Sequence, residues 1–246
     1  MQFSEWEGEY EAILRELRFS REEDERCAHL LRELLAGRSV SPRVLSRLVR
    51  GREVIVVGAG PGPIPRHLLQ ARDRLVIAAD GATSTCLDEG VLPGLIVTDL
   101  DGDMPDEVRA NREGSLVLVH AHGDNPEAVR KWVPRLEGRV CGSTAAAPAE
   151  GLVNFGGFTD GDRSVFLAEA LGAQGITLVG FDFGHVRPGE GPTKLRKLRV
   201  AERLIGEVAA RGKVRIDRYT AAGITRWPAR GAGTTRPAGP RSRRAA

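Results

Sequence analysis

The sequence is poor in aromatic residues, which make up 5% of its 246 positions: seven Phe, three Trp and two Tyr. It holds only three cysteines, Cys27, Cys86 and Cys141, far apart and without CxxC spacing. That excludes a disulfide scaffold and points to reduced thiols in a cytosol-like compartment. No apolar run approaches the ~18 residues that a membrane helix needs. The start, MQFSEWEGEYE, is acidic, so it does not read as a signal peptide, and a cytoplasmic protein is expected. Nor is there a strong excess of one charge: the formal net charge is +3. The stretch 228–246 carries Arg230, Arg236, Arg241, Arg243 and Arg244 and no acid, and without it the remainder is slightly acidic. This stretch is expected to be a disordered basic tail, and no specific nucleic-acid partner is implied.

What is present suits a globular domain: 41% hydrophobic and 28% charged residues, with 30 Gly and 14 Pro. Residues 1–50 read as a helical N-terminal region. Phe3, Trp6, Tyr10, Ile13, Leu14 and Leu17 form one apolar stripe at three- and four-residue steps. Cys27, Leu30, Leu31, Leu34 and Leu35 form a second, which Gly37 ends, and Ser41-Pro42 is a helix start. From residue 53 the texture changes. Val54–Val57, Leu75–Ala78, Leu95–Val97, Leu116–Val119 and Ile176–Val179, with a weaker run at Arg139–Cys141, alternate with amphipathic segments. Continuous apolar strands alternating with helices predict an α/β domain over 51–220, a parallel sheet with helices on both faces. In such sheets ligands bind at the C-terminal strand ends.

The residues after each strand are therefore the candidates. Gly58-Ala59-Gly60-Pro61-Gly62-Pro63 resembles a dinucleotide fingerprint, but Pro63 replaces its last glycine and two prolines remove amide donors. Asp80-Gly81 follows the second strand, and Asp80 reads equally as a helix cap or a site acid. Asp99-Leu100-Asp101 follows the third. In extended chain both carboxylates face one side, where they repel unless a cation lies between them, and such a pair suits Mg²⁺. Asp103 reads as the next cap. His120-Ala121-His122-Gly123-Asp124-Asn125-Pro126 follows the fourth: Asn125 caps, Asp124 is spare, and the histidines either contact phosphate, orient a carboxylate or simply pack. Ser143 and Thr144 follow the next strand with amides and hydroxyls suited to phosphate. Thr159 and Asp162 fit a capping box that leaves Asp160 unused. Asp182 ends the last clear strand, and Lys194, Arg196 and Lys197 enter a long helix. Acids at successive strand ends, with lysines nearby, together point to a metal-bound polyphosphate.

GAGPGP, ADGAT, VTDLDGD, HAHGDN, GGFTDGDR and VGFDFG, in this order, resemble the archaeal 6-hydroxymethyl-7,8-dihydropterin diphosphokinases, as does the helical start FSEWEGEYEAILRELRFSREEDERCA. The resemblance spans about residues 3–212. It implies a Rossmann-like sheet similar to thiamine diphosphokinases and Mg²⁺-dependent transfer of diphosphate from ATP to the hydroxymethyl oxygen of a dihydropterin. AMP and a pterin diphosphate would leave, on a route to a tetrahydromethanopterin- or folate-type cofactor. On that reading Asp99, Asp101 and Asp124 hold Mg²⁺, and Asp80 takes the ribose or a metal-bound water. His122 lies near the transferred group, and Lys194 and Lys197 screen phosphates. Gly58, Gly60, Gly81, Ser143 and Thr144 line the nucleotide. Phe158 stacks on the pterin, and Asp160 or Asp182 reads its amidine-like edge. The partners are small molecules, with a homodimer compatible with the sequence. Alternatives are a DxD-type nucleotide-sugar glycosyltransferase, a non-catalytic Mg-nucleotide-binding module and a thiamine diphosphokinase.

Overall fold

The computed structural model describes residues 3–148, 150–186 and 191–227. The basic stretch 228–246 lies outside them. Three helices come first: α1 (Phe3–Leu17), α2 (Arg21–Leu34) and α3 (Pro42–Val49). Ser20 accepts from the Glu23 amide at the head of α2, and Ser41, with Pro42 in the first turn, does the same for α3.

The strands are β1 (Glu53–Val57), β2 (Arg74–Ala79), β3 (Leu95–Thr98), β4 (Leu116–Ala121), β5 (Val140–Thr144), β6 (Leu152–Val153), β7 (Gly175–Val179), β8 (Arg215–Thr220) and β9 (Gly223–Arg226). They form one sheet in the order β6-β5-β4-β3-β2-β1-β7-β8-β9, parallel except for β9. The helices between them are α4 (Arg66–Leu69), α5 (Ala82–Asp88), α6 (Met104–Glu113), α7 (Pro126–Trp132), α8 (Asp160–Ala170) and α9 (Pro192–Arg211).

Because side chains alternate along a strand, each apolar run feeds two cores. Val54, Val56, Leu75, Ile77, Leu95, Val97, Leu116 and Leu118 face one, with α1, α3, α8 and α9. Ile55, Val57, Val76, Ala78, Ile96, Val117 and Val119 face the other, with α2 and α4 to α7. Each such side chain contributes roughly 1.5–3 kcal/mol on burial. The first three helices thus divide between the two faces: α1 and α3 on one, α2 on the other against β4, β5 and α7. The three cysteines are buried and unpaired by disulfides, and burial raises every thiol.

Strand order runs outward from β1 through β2 to β6 on one side and through β7 to β9 on the other. Strand order thus reverses between β1 and β7, the topological switch point of the sheet, where ligands of such sheets bind.

Candidate functional site

A cavity of about 960 Å³ opens at the C-terminal strand ends. Its floor is made by the loops after β1, β2, β3, β4 and β7, and its walls by α1, α2, the first turn of α8 and the first turns of α9.

Three carboxylates converge on the floor. Asp80, Asp99 and Asp101 each offer an oxygen, all within 4.8 Å of one another. Asp80 is not a cap: Gly81 takes that position in α5. Its own backbone is left-handed (φ 49°), and its Oδ1 accepts from Thr98 Oγ1 and from the Gly102 amide, both at 3.0 Å. Asp99 and Asp101 meet for a reason other than strand alternation. β3 ends at Thr98, and Leu100 adopts φ 71°, a costly conformation for a leucine, which folds the two acids toward Asp80. The Leu100 amide donates to Thr98 Oγ1 at 2.8 Å and so fixes the turn. Beneath lies Glu107, fully buried on α6, 3.3 Å from the same hydroxyl and with its Oε2 unpartnered. Burial, reinforced by the Asp80 charge, pushes its carboxyl well above the usual range.

The three acids differ electrically. Burial opposes ionisation of Asp99, but the hydrogen bond from His122 and that ring's charge when protonated outweigh it, and its pKa falls to about 2. Asp101 is pushed up to about 7 by burial and by the charges of Asp99 and Asp80. Asp99 Oδ1 is buried without a partner. An orphaned carboxylate oxygen beside two further acids is a donor set that fits a hard divalent cation.

Asp124, expected beside Asp99 and Asp101, lines the same cavity but is not within this cluster, whereas Asp80 is. The Asp124 side chain is 58% exposed, with Oδ2 4.0 Å from His122 Nδ1. β4 ends at Ala121, so the extended geometry that would align His120, His122 and Asp124 stops short. His122 Nδ1 accepts from the Asp124 amide at 3.2 Å, which leaves Nε2 to face Asp99 Oδ2 at 3.3 Å. His122 thus orients a carboxylate. Asn125 stands at the cap position of α7, but its side chain makes no cap bond. Instead its Nδ2 donates to the Asp99 and His120 carbonyls, and its Oδ1 accepts from the His122 amide and the Cys27 thiol.

Gly58, Gly60 and Gly81 line the cavity. A Cβ on Gly60 would lie 2.6 Å from the Gly180 carbonyl, which also accepts the Gly60 amide at 2.8 Å. The absent side chain is thus required by the packing of the β1 loop on the β7 loop. Ser143 and Thr144 do not line the cavity. They are buried within β5, where Ser143 Oγ bonds the Val119 carbonyl and His120 Nδ1, and Thr144 Oγ1 accepts from Ala146. Lys194 and Lys197 do line it, Lys197 with its ammonium 5.6 Å from the Phe19 ring centroid.

The opposite wall is aromatic. Trp6, Tyr10, Phe19, Phe158, Phe181 and Phe183, half of the chain's scarce aromatics, line this one cavity. Two acids expected there are engaged within the protein. Asp182 Oδ1 accepts from the amides of Gly184 and His185, and its Oδ2 lies 2.9 Å from His185 Nδ1. Asp160 pairs with Arg163 at 3.3 Å. As read from sequence, Asp162 serves the capping box, accepting from the Phe158 and Thr159 amides.

Sequence reasoning passed over Asp24. It is buried, lines the cavity, and accepts from Tyr10 Oη at 2.6 Å and from the Gly123 amide at 2.7 Å, tying α1 and α2 to the loop of His122. Its signal was an acid one turn before Cys27 on the buried stripe of α2. Glu107 carries a similar signal, an acid between Met104 and Val108 on the inner face of α6.

Residues 28–187 match the family model described as 6-hydroxymethylpterin diphosphokinase MptE-like. A 6-hydroxymethyl-7,8-dihydropterin pyrophosphokinase of Methanothermobacter thermautotrophicus is 44% identical over 89% of this chain and all of its own length. One of Pyrococcus furiosus is 39% identical over the same shares. Among solved structures, a Maf glycosyltransferase from Magnetospirillum magneticum aligns with a TM-score of 0.52 at 18% identity, over 82% of this chain and 37% of its own, a likeness of fold. A thiamine pyrophosphokinase from Bacillus subtilis, of which the chain covers 60%, gives a TM-score of 0.41 at 16% identity. By the extent of the family match and the identity to full-length relatives, this chain belongs to the MptE-like 6-hydroxymethylpterin diphosphokinase family.

Proposed function

We propose that the chain transfers a diphosphate from ATP to the hydroxymethyl oxygen of 6-hydroxymethyl-7,8-dihydropterin, releasing AMP. The observation that carries this reading is the juxtaposition, in one cavity, of the Asp80–Asp99–Asp101 cluster with an aromatic wall. The relatives' names supply the pterin.

Asp80, Asp99 and Asp101 are the residues that would hold Mg²⁺. When bound there it would neutralise the phosphates and align them for attack. The rest of the work is positioning. Thr98 and the Gly102 amide fix Asp80, while His122 fixes Asp99. Asn125 ties the loops after β3 and β4 together. Lys194 and Lys197 screen the nucleotide's phosphates from the α9 side. The pterin ring lies against Tyr10, Phe19 and Phe158, offering its π-face to theirs. Holding the alcohol and the nucleotide in line removes much of the entropic barrier.

The test is an AMP-release assay with Mg·ATP and 6-hydroxymethyl-7,8-dihydropterin. Stoichiometric AMP and pterin diphosphate are expected. Release of ADP instead, or turnover of thiamine in preference to the pterin, would overturn the reading.

A further inference from the structure

On the reading above a polyphosphate binds over the acid floor, and cationic side chains of the protein line the same cavity. Lys194 is exposed and Lys197 half-buried, both on α9. Arg163 differs: it is 6% exposed, stands in the first turn of α8 and lines the same cavity. One Nη lies 3.3 Å from Asp160 Oδ1 and the other donates to the Phe158 carbonyl at 3.0 Å. These contacts engage two of the five N–H groups of a guanidinium. Gly157, at φ 90°, lets the preceding loop press against this turn, since a Cβ there would lie 2.4 Å from Arg163 Cα.

Arg163 shares this cavity with the three acids. Burial foremost, and then Arg163, keeps His120 neutral. Arg163 anchors the loop before α8 through the Phe158 carbonyl, but its pairing with Asp160 is not needed to cap that helix. The Thr159–Asp162 capping box already satisfies the start of α8, and burying an ion pair seldom adds net stability.

We propose that Arg163 is a catalytic residue that grips the diphosphoryl group from the side facing the acid cluster, with Asp160 as the tether that aims it. The proposal rests on the diphosphate-transfer reading above. Charge that builds on the phosphoryl oxygens during transfer then meets a fixed guanidinium, in addition to the cation that Asp80, Asp99 and Asp101 would hold.

The experiment compares the full chain with Arg163→Gln and Arg163→Lys in two measurements, AMP release and calorimetric titration with inorganic pyrophosphate in Mg²⁺. For Arg163→Gln, kcat is expected to fall about 10²–10³-fold, the size typical of losing one preorganised electrostatic donor. The KM for the pterin should stay within about threefold, as befits an interaction made with the transferred group. Pyrophosphate affinity should fall by about tenfold or more, and Arg163→Lys should recover part of both losses. Because Arg163→Gln strands a buried carboxylate, the double variant Asp160→Asn/Arg163→Gln is measured too, and equally weak pyrophosphate binding is expected. Wild-type pyrophosphate affinity in either glutamine variant, or a defect confined to the pterin KM, would overturn the proposal. A wild-type chain that bound pyrophosphate through Arg163 but released no AMP would overturn the transfer reading alone.

Discussion

The two sides of the cavity are built by different means. The acid floor hangs from strand ends and is held by short-range polar bonds: Thr98 and Gly102 on Asp80, His122 on Asp99, Asn125 across two loops. The aromatic side chains come from α1 (Trp6, Tyr10) and from three connections: Phe19 between α1 and α2, Phe158 before α8, and Phe181 and Phe183 after β7. The floor stores strain, with left-handed backbone at Asp80 and Leu100 and three acids crowded together. The aromatic side has one such residue, Arg18 at φ 61° beside Phe19, carries no crowded acids, and gains from apolar burial of Trp6 and Tyr10. The acids thus hang from the strand ends of the sheet, and the aromatic side chains from α1 and the connections beside it. Asp24, bonded to Tyr10 and to Gly123, is the seam between them.

If that division holds, the two sides must fail differently. The largest effect is expected on the floor. Asp99→Ala should cut kcat by about 10³-fold or more, as for loss of a central electrostatic group, with the pterin KM little changed. On the wall, Phe158→Ala should raise the pterin KM by about tenfold and leave the KM for ATP alone, since base–aromatic stacking is worth ~1–3 kcal/mol. Equal effects of the two substitutions on both substrates would erase the distinction. At the seam, Tyr10→Phe removes one buried hydrogen bond to Asp24 and should cost roughly 1 kcal/mol of stability, read as a lower urea midpoint.

The smallest effect is in the response to pH. Asp101 holds its proton more tightly in the folded chain, up to about 7, than at its ordinary 3.8. The folded state therefore binds more protons than the unfolded one across that window, and stability without metal falls as pH rises through it. A bound divalent cation relieves this repulsion. The rise in melting temperature on adding Mg²⁺ should thus be larger at pH 8 than at pH 5, and an equal shift at both would place the cation elsewhere.

Much of the fold was legible because the apolar runs of a doubly covered parallel sheet are continuous, as in Val54–Val57 and Leu116–Val119, and their breaks at Gly or Asp mark strand ends. The edge pair β8 and β9 was missed, since Arg215–Thr220 alternates charge with apolar side chains and reads as surface. The convergence of Asp99 and Asp101 was expected from their spacing, although a left-handed Leu100, invisible to periodicity, is what joins them. Asp80 was underweighted because a carboxylate before a helix is usually a cap. Asp124 would share a face with His120 and His122 only in extended chain, and β4 ends at Ala121. Ser143 and Thr144 read as a phosphate turn only while β5 was thought to end earlier; the extra ladder pairs with β4 bury both. Which residues wall the cavity from α1 and α2 depends on how those helices divide around the sheet, and no local pattern encodes that.

The proposed transfer requires that the Asp80–Asp99–Asp101 cluster, rather than Asp124, hold the divalent cation. The most direct test is the Mg²⁺ dependence of AMP release in Asp80→Asn beside Asp124→Asn. The structure predicts that Asp80→Asn loses about 10²-fold or more in activity at saturating substrates with a raised Mg²⁺ requirement, while Asp124→Asn stays within about tenfold. The reverse ranking, with Asp124 indispensable and Asp80 replaceable, would contradict it.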